Sequence, residues 1–431
     1  MTTEYLCRSP DLANYGRTMA STWANPDITG VFIRLQWKDL QPTRTSWDDT
    51  ILIREADAAV ANGKLYSVVI ESGRDGQPPW LFDSVQSGGA GLAALELIWK
   101  DDLDSTSCTD TALYADPTTG TYRHLYKEAL THVANVLKQN SARYRALAYI
   151  KPSGANRATG ENRLPTRCKP GCAICNNQVW GAAGYQPGKL YAFYEEQIAH
   201  IADQFPGKSM SFMLIQAGFP RVGTWGCYEN ANGGMNCPLG TPFLHQTVPG
   251  GTEQTEAIIN DAVAAYPMGK FVVEHQGLDM APGSVNQWVT DIGATGKPTM
   301  FQTSAGGQVG SPAQLGDTIQ NLWDNSAASA LEIYEERLWE ANHAALGGAT
   351  NPTRSIGDWN TELHARRRAA YPALGDPAPT TYTFTFGTPV VQPLPPPNDF
   401  EYNAYVDPSL QPVTQAGGCL DGLSPCVVVR P

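Results

Sequence analysis

The sequence predicts an α/β fold, a (β/α)8 TIM barrel with a short β-rich C-terminal extension, on three observations. Between residues 28 and 340, eight short apolar runs recur, amphipathic stretches of helical period separate them, and the runs are apolar on both faces. Strands of that kind belong to a parallel sheet covered on both sides, and eight strand–helix units close a barrel. The alternative is an open doubly wound sheet, but no Gly-x-Gly-x-x-Gly turn follows the first run as a dinucleotide-binding sheet requires.

The expected strands, in order, are Gly30–Trp37, Lys64–Glu71, Leu95–Trp99, Arg145–Ser153, Met210–Gln216, Lys270–Glu274, Pro298–Thr303 and Ser329–Tyr334. Helical patterns lie between them at Thr50–Asn62, Tyr122–Asn140, Leu190–Phe205, Thr252–Tyr266, Ser284–Gly293 and Gln314–Asn325. Two connections, Ser153–Gly188 and Ala217–Gly251, are too long to be plain linkers and carry cysteines, as pocket-building loops of a barrel do. After Asp376 the composition shifts to period-two alternation (Tyr382, Phe384, Phe386) and then a proline run. The barrel domain is therefore assigned to residues 1–375 and a Pro-rich, disulfide-containing β extension to 376–431.

Composition narrows the function. Thirty Lys and Arg against 42 Asp and Glu leave a net charge of −12 over 431 residues, which repels phosphate backbones and argues against nucleic acid as a partner. No apolar run reaches the ~18 residues of a membrane helix. Nine cysteines, with Cys227/Cys237 and Cys419/Cys426 as close pairs in turn-rich loops, indicate disulfides and a secreted or otherwise extracytoplasmic protein. Cys168, Cys172 and Cys175 could be read as zinc ligands, but no fourth ligand follows at zinc spacing, so no metal is assigned. Cys7 is the candidate for the cysteine left over. The chain opens without a signal segment, so any export signal is expected to have been removed.

In a barrel the strand C-terminal ends face the site. Glu71, Glu274 and Glu332 lie on or near such ends, and Glu161 lies in the loop after the fourth expected strand. A carboxylate closing an apolar run is costly unless it is paired or used, and glycoside hydrolysis uses two, one protonated and one ionised. Other chemistries find less support: there is no Gly-x-Ser-x-Gly, no His-Glu-x-x-His and no phosphate-binding loop, and no cofactor is implied. Calcium on Asp101–Asp110 would be structural.

The segment VFIRLQWKDLQPTRTSWD, with Arg34, Trp37, Gln41, Pro42 and Trp47, resembles the first-strand segment of clan A-type glycoside hydrolase barrels. VVIESGRDGQPPWL is similar to their second strand, and SGANRATGENRLP to the region after their fourth. The resemblance implies an oligo- or polysaccharide substrate and places the acid/base on Glu161, although Asn156 and Glu161 are five apart where the family has them adjacent. It takes the nucleophile from the seventh strand, where PTMFQT offers only Gln302. The second carboxylate is then Glu274 on the sixth expected strand or Glu332 on the eighth. The first would suit retention and the second inversion, with Glu332 slightly favoured because Tyr334 shares its strand face.

Sugar binding needs aromatic platforms and hydroxyl ligands. Trp37, Trp80, Trp99, Trp225, Trp339 and Tyr334 supply the first, and Arg34, Glu71, Asn156, Gln216, His275 and Gln302 the second. The rival reading is a non-catalytic carbohydrate-binding protein on a degenerate barrel; a lyase or isomerase using one of these carboxylates as base is a third.

Overall fold

The computed structural model describes residues 18, 20–83, 89–99, 108–157, 162–214, 218–242, 244, 248, 250–303, 312–333, 354–372, 419, 420, 422 and 423. Its strands are β1 (Gly30–Gln36), β2 (Leu65–Glu71), β3 (Ala94–Ile98), β4 (Thr111–Ala115), β5 (Leu147–Lys151) and β6 (Ser209–Met213), followed by the two-residue strands β7 (Tyr228–Glu229) and β8 (Met235–Asn236), then β9 (Phe271–Leu278), β10 (Thr299–Thr303) and β11 (Ala330–Glu332). Seven of these form one sheet in the order β1-β2-β5-β6-β9-β10-β11, and each neighbouring pair is parallel.

Long helices cross between the sheet strands where the 3.6-residue pattern places them, at Thr50–Ala61, Gly120–Lys138, Lys189–Gln204, Gly251–Ala265, Gln287–Ala294 and Pro312–Asn325. The start of Gly120–Lys138 is fixed by Thr119, whose side chain accepts from Tyr122 N. Asn286 caps Gln287–Ala294 in the same way. Outward-facing Ile33, Leu35, Val68, Ile70, Ile150, Phe212, Val273 and Phe301 join the helices in one apolar core.

The sheet is curled. Tyr149 on its third strand donates to Glu332 on its seventh, whereas four flat strand spacings would hold them ~19 Å apart. The Lys151 ammonium also crosses β2 to stand 4.2 Å from the Phe32 ring centroid. A cross-sheet contact of this reach belongs to a barrel-like wall and not to the open doubly wound alternative.

One expected sheet strand is absent from the wall. Leu95–Trp99 forms β3, which pairs antiparallel with β4 in a separate hairpin. The reason lies in its sequence: Glu96 interrupts LELIW and is exposed, accepting a hydrogen bond from Thr111 Oγ1 at 2.9 Å, while Leu95 and Leu97 are buried. A strand covered on both faces has no room for a charge that lacks a buried ionic partner. The ordinals therefore shift: Arg145–Ser153 supplies the third sheet strand, and Glu274 and Glu332 ride on the fifth and seventh.

The long connections are stapled by Cys108–Cys172, Cys168–Cys175 and Cys227–Cys237. The three thiols read as possible zinc ligands are thus all disulfide-bonded. Of the C-terminal extension, the described residues include Cys419–Leu420 paired antiparallel with Gly422–Leu423; the rest of 376–431 and Cys7 lie outside the described residues. No helix among the described residues is long and apolar enough to cross a membrane.

Candidate functional site

The inner wall of the curled sheet is polar, which few barrel interiors are. Lys151, the last residue of β5, is 4% exposed, and its Nζ donates to Glu274 Oε1 and to Glu332 Oε2 at 2.7 Å each. The two carboxylate oxygens therefore lie no farther apart than twice that distance. Glu332 closes β11 and Gln302, its register neighbour on β10, donates to Glu332 Oε2 at 2.7 Å. Tyr149 donates to Glu332 Oε1. Glu274 meets Gln276 Nε2 at 3.1 Å on Oε1 and Ser211 Oγ at 2.6 Å on Oε2. Period-two alternation turns all of these side chains to one face of the sheet.

The electrostatics of the pair are unequal. Burial, together with the negative charge of Glu332, lifts the Glu274 carboxyl above the usual range despite Lys151. For Glu332 burial works in the same direction, but positive charge, that of the Lys151 ammonium first, together with the Tyr149 hydroxyl holds the carboxyl below that range. Burial acts to lower the Lys151 ammonium, yet the two carboxylates raise it and keep it charged. Burial and the neighbouring carboxylates drive the Tyr149 phenol well up, so it stays a donor. One carboxyl disposed to hold a proton beside one disposed to lose it is the electrostatic arrangement of an acid/base pair.

The other expected residues divide. Arg34 and Glu71, at the ends of adjacent strands, form an ion pair with Nε 2.5 Å from Oε1. Asn156 is buried and accepts from Ser72 N at 2.9 Å, tying the end of β2 to the loop after β5. Trp37 is fully buried, edge-on to Trp80, Tyr122 and Tyr126. Trp80 is buried too, its indole donating to Gln41 O at 2.8 Å. Trp99 is half-buried beneath the Arg74 guanidinium, 3.6 Å from its ring centroid. Trp225, 51% exposed, stands two residues before the loop that Cys227–Cys237 closes. His275 is buried on the outward face against Phe301, where burial pushes its imidazole down to about 4. Glu161, Gln216, Tyr334 and Trp339 lie outside the described residues.

Lys151, Tyr149 and Ser211 were not foreseen from the sequence. A signal existed for the first: Lys151 breaks the apolar run ALAYIK near its C-terminal end, as Glu274 and Glu332 break theirs. Hydroxyls in strands carry no such signal. A cavity of about 590 Å³ reaches Tyr149 and Glu332 from the strand starts, between Thr29, Leu65 and Ser209 on one side and Trp323 and Trp359 on the other. It opens at the end opposite the one where barrel enzymes hold their substrates. Among the described residues no cluster of His, Cys, Asp and Glu is arranged to hold a metal ion.

No family model matches the sequence, and no curated protein matches it. Among solved structures, the catalytic domain of a β-amylase from Paenibacillus polymyxa is similar over 79% of this chain and 91% of its own, at 12% identity and a TM-score of 0.44. The exo-β-1,4-mannosidase Op5Man5 from Opitutaceae bacterium strain TAV5 is similar over 79% of this chain and 53% of its own, at 12% identity and a TM-score of 0.38. A psychrophilic glycoside hydrolase family 10 endo-β-1,4-xylanase is similar over 73% and 82%, at 8% identity and a TM-score of 0.37. All three are glycosidases, the class that the first-strand segment resembles. Likeness of this degree assigns neither activity nor substrate.

Proposed function

We propose that the protein is a glycoside hydrolase acting on an extracellular oligo- or polysaccharide, with Glu274 and Glu332 as its carboxylate pair. The observation that carries this is the pair itself: two Glu side chains bridged by one ammonium at 2.7 Å on either side, with their proton affinities displaced in opposite directions. Glu274 is the acid and Glu332 the ionised partner. Their closeness matches the ~5 Å separation of retaining glycosidases, in which the ionised carboxylate attacks the anomeric carbon while the acid protonates the leaving oxygen. Among the described residues the sheet has seven strands, and Glu332 closes the last of them. Glu161 is the acid/base which the clan A resemblance implies, and it belongs in the same test. The three disulfides support an oxidising, extracytoplasmic setting.

The test is hydrolysis of aryl glycosides and a polysaccharide panel by the protein and its Glu274→Gln, Glu332→Gln and Glu161→Gln variants. Glu332→Gln and Glu274→Gln should each lower kcat at least ~100-fold, with the anomeric configuration of the product retained. Both variants hydrolysing at the parent rate would overturn the assignment. One observation favours a second reading: Glu274 and Glu332 are 0% and 1% exposed and every one of their carboxyl oxygens is engaged in a hydrogen bond. That is how a structural ion network is built, and a barrel so built would bind carbohydrate without cleaving it. Saturable glycan binding with no product from any panel member would select this reading.

A further inference from the structure

The hydrogens around Glu274 can be counted, and the count comes out one short. Ser211 Oγ lies 2.6 Å from Glu274 Oε2 and 2.9 Å from Met300 Sδ, both of them bonding distances. A serine hydroxyl brings one hydrogen, and neither a thioether nor a carboxylate brings any. Each contact has a hydrogen of its own when Glu274 is a carboxylic acid: Oε1 already takes Lys151 Nζ and Gln276 Nε2, so the O–H is on Oε2 and points at Ser211 Oγ while the serine donates to the sulfur. Glu332 shows no such shortage: Tyr149, Lys151 and Gln302 each bring their own hydrogen to it. The pairing agrees, because among the described residues Lys151 is the one cation in ion-pair contact with the two carboxyls, both of them excluded from water. Keeping both carboxyls ionised in that setting is strongly opposed by desolvation.

We propose that Ser211 is a positioning residue which seats the proton of the carboxylate pair on Oε2 of Glu274 by accepting a hydrogen bond from it and passing its own hydrogen to Met300. Its catalytic meaning rests on the hydrolase reading above, since it decides which of the two carboxyls serves as acid; the location of the proton does not. Ser211 touches neither Glu332 nor, on this view, the substrate. It acts through Glu274.

The experiment is isotope-edited infrared spectroscopy of the whole protein carrying 13C-labelled Glu side chains, near neutral pH and without substrate. The expected result is a protonated-carboxyl carbonyl band that disappears in Glu274→Gln. It should move to higher frequency in Ser211→Ala, stay in place in Ser211→Thr, and be unaffected by Tyr149→Phe. Should Ser211→Ala not fold, Met300→Leu keeps the volume but removes the sulfur, and the band should then titrate away at lower pH. Absence of the band from the parent protein overturns the proposal. So does a band that Tyr149→Phe moves and Ser211→Ala does not, or one that Met300→Leu leaves unchanged. A purely structural serine would leave the band where it is. A protein that keeps the band and its response to Ser211 but hydrolyses nothing refutes the hydrolase reading alone.

Discussion

Replacing Lys151 by Met tests whether this ammonium is what allows two carboxylates to share the barrel interior. The side chain stays unbranched and apolar and nearly as long, but the charge is gone, and with it the contact of Nζ with the Phe32 ring. Two charge-assisted hydrogen bonds of 2.7 Å are lost, each worth about 1.5–3 kcal/mol, and breaking a buried ion pair from one side costs about 3–5 kcal/mol. A loss of about 3–5 kcal/mol at pH 8 is therefore expected in chemical denaturation. The sign of its pH dependence follows from the same geometry. Without Lys151, burial and mutual repulsion hold both carboxyls above their unfolded range, so the folded variant binds more protons than the unfolded chain and gains stability as pH falls. The deficit should be full at pH 8 and shrink steadily toward ~4.3, the unfolded pKa of Glu. Equal stability of variant and parent across that window, or a deficit that grows with acidity, would refute the argument.

Two further outcomes are expected. Trp37→Ala removes a fully buried indole packed edge-on against three aromatic rings; it should cost about 3–5 kcal/mol in thermal or chemical unfolding while leaving KM for any substrate unchanged, and a raised KM at parental stability would instead make Trp37 a sugar platform. His275, held neutral by burial down to about 4, should make the fold acid-sensitive. The unfolded chain takes up a proton below ~6.5 and the folded one does not, so up to about 3 kcal/mol is lost as pH falls from ~6.5 toward 4. His275→Leu should flatten that part of the stability profile, and an unaltered profile would show that another group carries it.

The fold was legible because period and length carried it. Apolar runs such as GVFIRLQ and LYSVVIE, separated by long 3.6-period segments, mark strands whose two faces are both covered, and seven of the eight expected strands stand in the sheet. The eighth, LELIW, was misplaced because a short apolar run looks alike in a sheet wall and in a half-covered hairpin; Glu96 was the discriminating residue. The candidate site was only half legible. Glu274 and Glu332 declare themselves as acids inside apolar strands, whereas Ser211 and Tyr149 are unremarkable in strands, and only the curl of the sheet brings Tyr149 to Glu332 across three intervening strands. Aromatic residues misled for a related reason: Trp37 and Trp80 follow strands or sit in loops where platforms belong, yet a large ring there packs as readily inward as outward.

The disulfides bear on how the chain matures. Cys108 pairs with Cys172, but Cys168 and Cys175 close around that same cysteine, so the two bridges interleave in sequence. In the unfolded chain the three thiols within eight residues meet one another far more often than they meet Cys108, sixty residues away at the nearest. Of the three bonds those thiols can make, Cys168–Cys175 is native, whereas Cys168–Cys172 and Cys172–Cys175 are early bonds that each take the native partner of Cys108. The native set is reached by thiolate attack on those early bonds, so the yield of this protein depends on the thiol-exchange capacity of the compartment it folds in as well as on its oxidising strength.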